Sequence, residues 1–317
     1  MPWMTNDGKG SKGKPMAENG LSEVGPIRRL LLKHPREAWK SQLDVRQGWR
    51  ALNYLEEPDF LGACREYDVL AEILRRAAVE VHFLPADDGT GLDSIYVRDA
   101  AVESPRGLVM ARMGKALRNG EPDAIRAVCD QSGWPVAGEI QAPGTLEGGD
   151  IVWLDGETVA AGLGYRTNAE GVRQLAEIVR PDGVEVIGVP LPHWEGPGDV
   201  LHLMSMLSPV GDRRLLVYSR LLVVPFRRRL LDMGFELVEV LDEEYPTMGT
   251  NVLALGSGRC LALAGNPRTA ARLEKAGLEV LSYAGREISV KGAGGPTCLT
   301  RPIRGGGSRD QRDSPLR

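Results

Sequence analysis

An internal repeat limits this chain to very few architectures. One pattern recurs: an apolar strand, a turn, a second short strand, a helical stretch and a closing strand rich in Val and Ile. In the clearest copy, residues 150–154 (DIVWL) form the first strand and Asp155-Gly156-Glu157 a hairpin-type turn. Residues 158–162 return. Asn168 then caps a helix on which Val172, Leu175, Ile178 and Val179 share one face, and residues 184–189 close the unit. A second copy runs from His202, with strands predicted over 203–207 and 214–218, a helix around 226–233 and a closing strand over 236–240. A third starts at Asn251, with strands over 252–255 and 260–264, a helix over 268–276 and a strand over 278–281. An earlier copy spans 95–136. The first and least regular runs from 27–32 through a helix over 66–76 to 79–83. Five ββαβ-like units place the chain in the α/β class.

One polar residue per unit recurs at a near-constant interval. Asp99, Glu147, His202, Asn251 and Cys298 are separated by 48, 55, 49 and 47 residues. Radially repeated units set equivalent positions around one axis. Two acids, a His and a Cys at such positions converge on a common centre.

Cys298 lies in the segment 292–300 (GAGGPTCLT), whose glycines permit close approach of a ligand. On this segment alone, an exposed nucleophile and a small buried thiol are equally good readings. Cys64 on a helix face, Cys129 at a helix end and Cys260 in a strand read as packing residues. A lone His in an apolar setting is more often a core residue than a catalyst, but the repeat interval supplies His202 with a candidate nucleophile. His193 reads as a loop residue near the mouth of a site. Glu147, in LEGGD (146–150), accepts from a cation or orients a base; the plainer alternative is a solvated turn. Asp93 and Asp99 bound a short predicted strand, 93–99, in which Asp93, Tyr96 and Asp99 cannot all share one face at period 2. Paired carboxylates suit a planar cation, which they grip with bidentate hydrogen bonds.

The net charge of −4 argues against a nucleic-acid surface. No apolar run reaches the length of a membrane span. Four scattered cysteines suggest neither a zinc site nor a disulfide framework, so a reduced, cytoplasmic protein without metal or other cofactor is expected. Residues 1–25 read as a disordered leader and 305–317 as a disordered tail, flanking a single domain over 26–304.

The ordered set VRD (97–99), LEGGD (146–150), GYRTN (164–168), HL (202–203) and GGPTCLTRPI (294–303) resembles the guanidino-modifying enzymes, or pentein superfamily. That group includes dimethylarginine dimethylaminohydrolases, arginine deiminases and amidinotransferases. The resemblance implies a five-bladed pseudo-symmetric α/β propeller. It implies Cys298 as the nucleophile on a guanidinium carbon, His202 as acid and base, and Glu147 and Asp99 as holders of the guanidinium. It further implies that Arg166 and Arg118 bind the substrate carboxylate and that Asp93 contacts the amino-acid end. The implied partner is a small cationic guanidino substrate; a homodimer stays open. Arginine deiminases typically carry an acid two residues after the His, where this chain has Met204. An apolar neighbour there favours an N-alkylated guanidinium. Arg98 stands where dimethylarginine hydrolases often carry an acid. The competing expectations are amidino transfer to an amine, arginine deimination and a non-catalytic binding propeller.

Overall fold

The computed structural model describes residues 21–78, 80–198 and 201–304. Five three-stranded sheets are present, each with one antiparallel and one parallel pairing. Blade 2 consists of Ala101–Ser104, Gly107–Met110 and Val136–Glu139. Blade 3 consists of Ile151–Trp153, Thr158–Leu163 and Glu185–Pro190. Blade 4 consists of Leu207–Gly211, Arg214–Val217 and Glu236–Glu239, and blade 5 of Leu253–Gly256, Arg259–Leu263 and Glu279–Tyr283. In every one of these the first strand is almost wholly buried and the third is mostly half-buried or exposed. The first strands are therefore the inner ones. A helix crosses from the second strand to the third, so the two run parallel.

Blade 1 explains why the first copy of the repeat looks irregular. Its helix Phe60–Arg75 connects Arg29–Leu32 to Glu80–Phe83, but its inner strand is Arg301–Ile303 from the other end of the chain. Leu30 pairs antiparallel with Pro302 and in parallel with Val81. The ring is closed by joining the first and last strands in one sheet, and each blade keeps only short edges.

Local chemistry sets the helix ends. Asn168 caps Ala169–Val179 by accepting from the Gly171 N–H at 2.8 Å, as expected. Gly133, with φ of 66°, ends Glu121–Ser132 in the left-handed region. The core lies between blades: Val152, Leu203, Leu207 and Phe226 join blades 3 and 4, and Val210, Leu216, Val252 and Leu273 join blades 4 and 5. Each such buried side chain contributes about 1.5–3 kcal/mol, so no blade is stable without its neighbours.

Two expected strands are not strands. Residues 203–207 begin with a 3-10 turn, Leu203–Ser205, and the inner strand starts only at Leu207. The Leu203 N–H is taken by Asp150 Oδ1 at 3.0 Å and the His202 N–H by Ser205 Oγ at 3.1 Å, so neither can enter a ladder. Residues 93–99 form a 3-10 turn, Leu92–Ile95, followed by further turns, because local bonds such as Ser94 Oγ to Gly91 O replace sheet pairing. Residues 21–25, assigned to the leader from sequence, are part of the fold. Leu21 is buried in the core, and Glu23 is buried with Arg98 at 2.8 Å and Arg304 at 3.6 Å. The disorder expected for 1–20 and 305–317 falls outside the described residues. Among the described residues, no helix is long and apolar enough to cross a membrane.

Candidate active site

The five residues picked out by the repeat interval all sit just ahead of an inner strand. Asp99 precedes Ala101–Ser104, Glu147 precedes Ile151–Trp153 and His202 precedes Leu207–Gly211. Asn251 precedes Leu253–Gly256 and Cys298 precedes Arg301–Ile303. One end of the ring therefore collects all five. Asp99, His202, Asn251 and Cys298 line a cavity of about 180 Å³, with Glu147 fully buried behind His202.

His202 Nε2 lies 2.8 Å from Glu147 Oε2, and its Nδ1 is 3.9 Å from Asp99 Oδ1. Burial alone would push the imidazole down. Asp99, Asp150 and Glu147 overcome it and raise His202 to about 9, so the ring is cationic at neutral pH. Burial also opposes ionisation of Glu147, but the hydrogen bond and charge of His202, with Arg118 and Arg166, hold it well below the usual carboxylate range. Its Oε1 accepts from the Gly114 and Lys115 N–H groups at 3.0 and 3.2 Å. Asp150, buried beneath this pair, is pushed up to about 6 by desolvation. Asp99, Glu147 and His202 offer ligand atoms within 4.8 Å of one another, a spacing a divalent cation can use. Here the His202 Nε2 and both Glu147 oxygens already have partners, which is the wiring of an acid–base pair.

Close packing forces glycine at Gly149. A Cβ there would stand 2.6 Å from His202 Nδ1 and 2.8 Å from Asp99 Oδ1, while its N–H donates to Asp99 Oδ1 at 2.9 Å. The LEGGD segment thus brings blade 2's acid against blade 4's imidazole.

Cys298 is half-buried, unlike Cys64, Cys129 and Cys260, which are buried and read correctly as packing residues. Its Sγ accepts from Asn251 Nδ2 at 3.3 Å. Asn251 Oδ1 in turn accepts from the Thr297 N–H and hydroxyl at 3.0 and 2.7 Å, which fixes the loop carrying the thiol. Gly295 packs directly on Asn251; a Cβ there would approach its amide to 2.5 Å. Burial and the Asp99 charge push the Cys298 thiol up. Asn251 was visible in the repeat interval but drew no role from sequence, because an amide carries no acid–base signal.

The other expected residues divide. Arg166 lines the cavity and reaches Glu147 at 3.3 Å. Asp93 lines it too, but pairs with Lys115 Nζ at 2.7 Å. Arg118 lines the cavity as well. It donates to Asp99 at 2.6 Å, to Glu121 at 2.7 and 2.9 Å and to the Tyr96 carbonyl at 3.0 Å, which leaves one Nη1 N–H unspent. It also holds Asp99 in place. Arg98 turns its guanidinium to Glu23, and His193 bonds Tyr165 at 2.6 Å outside the catalytic group. Met204 is buried and lines the cavity.

A family model described as "N,N dimethylarginine dimethylhydrolase, eukaryotic" matches residues 56–305. An uncharacterized protein of Aeropyrum pernix is 34% identical over 248 residues, covering 76% of this chain and 84% of its own. An N(G),N(G)-dimethylarginine dimethylaminohydrolase of Streptomyces coelicolor is 32% identical over 251 residues, covering 78% and 89%. Among solved structures, a Cys→Ser mutant of the Pseudomonas aeruginosa dimethylarginine dimethylaminohydrolase complexed with citrulline superposes with a TM-score of 0.73 at 25% identity, covering 88% of this chain and all of that one. The ring of five blades is thus the pentein fold, and the matches extend over most of the folded chain. The chain accordingly belongs to the dimethylarginine dimethylaminohydrolase family, hydrolases of the carbon–nitrogen bonds of guanidines.

Proposed function

We propose that the chain converts N-methylated arginine to citrulline and an alkylamine through a covalent intermediate on Cys298. The observation that carries this is the meeting of Cys298, His202 and Asp99 on one cavity that Met204 also lines. Burial and Asp99 favour the neutral thiol. A guanidinium placed against Asp99 brings a positive charge beside the sulfur and favours the thiolate, the thiol proton passing to solvent. The thiolate attacks the guanidinium carbon and forms a tetrahedral adduct. Protonated His202 gives its proton to the alkylated nitrogen, the C–N bond breaks, and the amine departs. An S-linked amidino intermediate remains. Neutral His202 then takes a proton from water; the resulting hydroxide adds to the same carbon. Collapse of that adduct expels the Cys298 sulfur, which takes up the hydroxyl proton, and leaves the ureido group of citrulline, the molecule bound in the solved relative. Glu147 keeps the imidazole oriented through both steps.

Met204 supports an alkylated substrate because a methyl group lies favourably on a thioether, whereas a bare guanidinium nitrogen there would lose a hydrogen-bond partner. Four free cysteines support a reducing, cytoplasmic setting. The test compares turnover of arginine with mono- and dimethylated arginines, following citrulline. Faster turnover of arginine would overturn the alkyl preference, and formation of a transferred amidino product with added amines would overturn hydrolysis.

A further inference from the structure

Arg98 keeps its backbone at the catalytic end of the ring while its side chain reaches toward the other. The Arg98 N–H donates to the Cys298 carbonyl at 3.2 Å, and the Asp99 carbonyl accepts from the Gly148 N–H at 2.9 Å. The Arg98 carbonyl is packed so closely on Gly148 that a Cβ there would stand 2.1 Å from it. One stretch of backbone thus touches both the loop that carries the thiol and the LEGGD segment that carries Glu147.

The Arg98 side chain is buried, and its Nη2 donates to Glu23 Oε1 at 2.8 Å. Its Nε and Nη1 have no hydrogen-bond partner, and Glu23 is its one ion-pair partner among the described residues. Glu23 belongs to the segment before the first strand. Residues 22, 24 and 25 border a groove together with Gly211 and Gly256, the last residues of the inner strands of blades 4 and 5. Arg304, just past the inner strand of blade 1, donates to the Gly25 carbonyl at 3.0 Å and lies 3.6 Å from Glu23. The catalytic residues precede these inner strands, and the Glu23 segment lies at their far ends. Arg98 therefore spans the ring, with its peptide at one end and its charge paired at the other.

A buried cation stripped of its partner is strongly unfavourable. Arg98 has two further cations close by, Arg301 and Arg304, and its charge adds to burial in pushing Arg301 down to about 9. With Glu23 neutral, Arg98 is drawn toward the cavity it borders, and its peptide turns with it. We propose that Glu23 is a positioning residue: through the Arg98 guanidinium it sets the peptide between Cys298 and Asp99, so that the segment before the first strand completes the catalytic centre from the opposite end of the ring. This rests on the hydrolase reading above, whose nucleophile and guanidinium-holding acid it keeps in register.

The test reads that register in the full chain without turnover. Chloroacetamidine is a cation that Asp99 can hold against Cys298. Chloroacetamide is its neutral counterpart and reports only how reactive the thiol is. Alkylation of Cys298 by each is followed by mass spectrometry, and the ratio of the two rates is compared between the unaltered protein and its variants. Glu23→Gln and Arg98→Met should each lower the ratio by about tenfold, and the double variant should lie no lower than either. For Nω-methylarginine, kcat should fall in step, with KM changed by less than about threefold. A ratio unchanged in both single variants overturns the inference even where melting falls, because a purely structural pair moves the two rates together. Losses that multiply in the double variant overturn it too, since Glu23 would then act without Arg98. Should Glu23→Gln not fold, Glu23→Asp, which keeps the charge but withdraws it by one methylene, takes its place in the same comparison. Absence of citrulline release by the unaltered protein would sink the hydrolase reading and leave the alkylation ratios readable.

Discussion

The two ends of the cavity are built on different plans. At the reacting end, Asp99, Glu147, His202, Asn251 and Cys298 come one from each blade, every one just ahead of an inner strand. Their positions follow from the ring itself. At the recognition end, Asp93, Lys115 and Arg118 all come from the turns around blade 2, and Leu52 from a loop of blade 1. Those residues bond to one another more than they follow any repeat. On the proposed mechanism the chemistry is fixed by symmetry, and the specificity by local contacts that can vary without disturbing the ring. Substitutions at the first end should act on the bond-breaking steps, and those at the second on the choice of substrate.

The largest expected effect breaks the reacting end outright. Cys298→Ser removes the thiolate and lowers turnover by about 10⁴-fold or more, while the protein still binds methylarginine. Mass spectrometry of the Cys298 protein quenched during turnover should show the amidino adduct, and the serine form should not. Turnover surviving in the serine protein would end the covalent reading.

Next is Glu147→Gln, which keeps the shape and removes the charge facing His202. A loss of about 10²–10³-fold in kcat is expected, the usual share of a positioned acid–base group. The pH dependence gives the sharper readout. Folded His202 lies at about 9, above the ordinary 6.5 of imidazole. Its pairing therefore stabilises the fold fully below pH 6.5 and is lost as the pH rises through 9. The alkaline limb of kcat/KM, which reports loss of the proton from His202, should move about one pH unit lower in Glu147→Gln. The thermal midpoint of that variant should also fall less steeply between pH 6.5 and 9. An unmoved alkaline limb would mean that Glu147 does not govern the His202 proton.

Gly149→Ala tests whether the blades are held at contact distance. The new Cβ would stand under 3.0 Å from both the imidazole and Asp99, so both must give way. Overpacking of this kind costs about 1–3 kcal/mol, which should lower the melting transition by several degrees, and the displaced imidazole should lower kcat/KM by about 10- to 100-fold.

The same division explains what could be read in the sequence. The repeat was legible because strand, turn and helix signals recur with their own periods, and the ring turns equal spacing into convergence. Cys298, His202, Glu147 and Asp99 followed from it. The inner strand of blade 1 was not legible, since Arg301–Ile303 pairs with Arg29–Leu32 across the whole length of the chain and no local pattern records that. Nor was the 3-10 turn after His202, whose apolar run looks like a strand until Asp150 and Ser205 claim its N–H groups. The Lys115–Asp93 pair was silent for a related reason: 22 residues separate its members and no motif contains both.

Arg118 is where the two plans touch, and it gives the smallest and most discriminating effect. Its planar fork joins Asp99, at the reacting end, to Glu121 and to the Tyr96 carbonyl of the recognition loop. Burial opposes its charge, but Glu121 and Asp99 hold it well above the usual range, so it stays a cation at any working pH. Lys cannot donate to all of these groups at once. Arg118→Lys should therefore loosen Asp99, the acid facing the guanidinium, and lower kcat by about tenfold with KM little changed. A residue gripping the substrate carboxylate would behave in the opposite way, raising KM for methylarginine while leaving its carboxamide unaffected. Measuring kcat and KM for both compounds separates the two roles. A pure KM effect would assign Arg118 to the substrate carboxylate, reached through the Nη1 N–H that Asp99 leaves unspent.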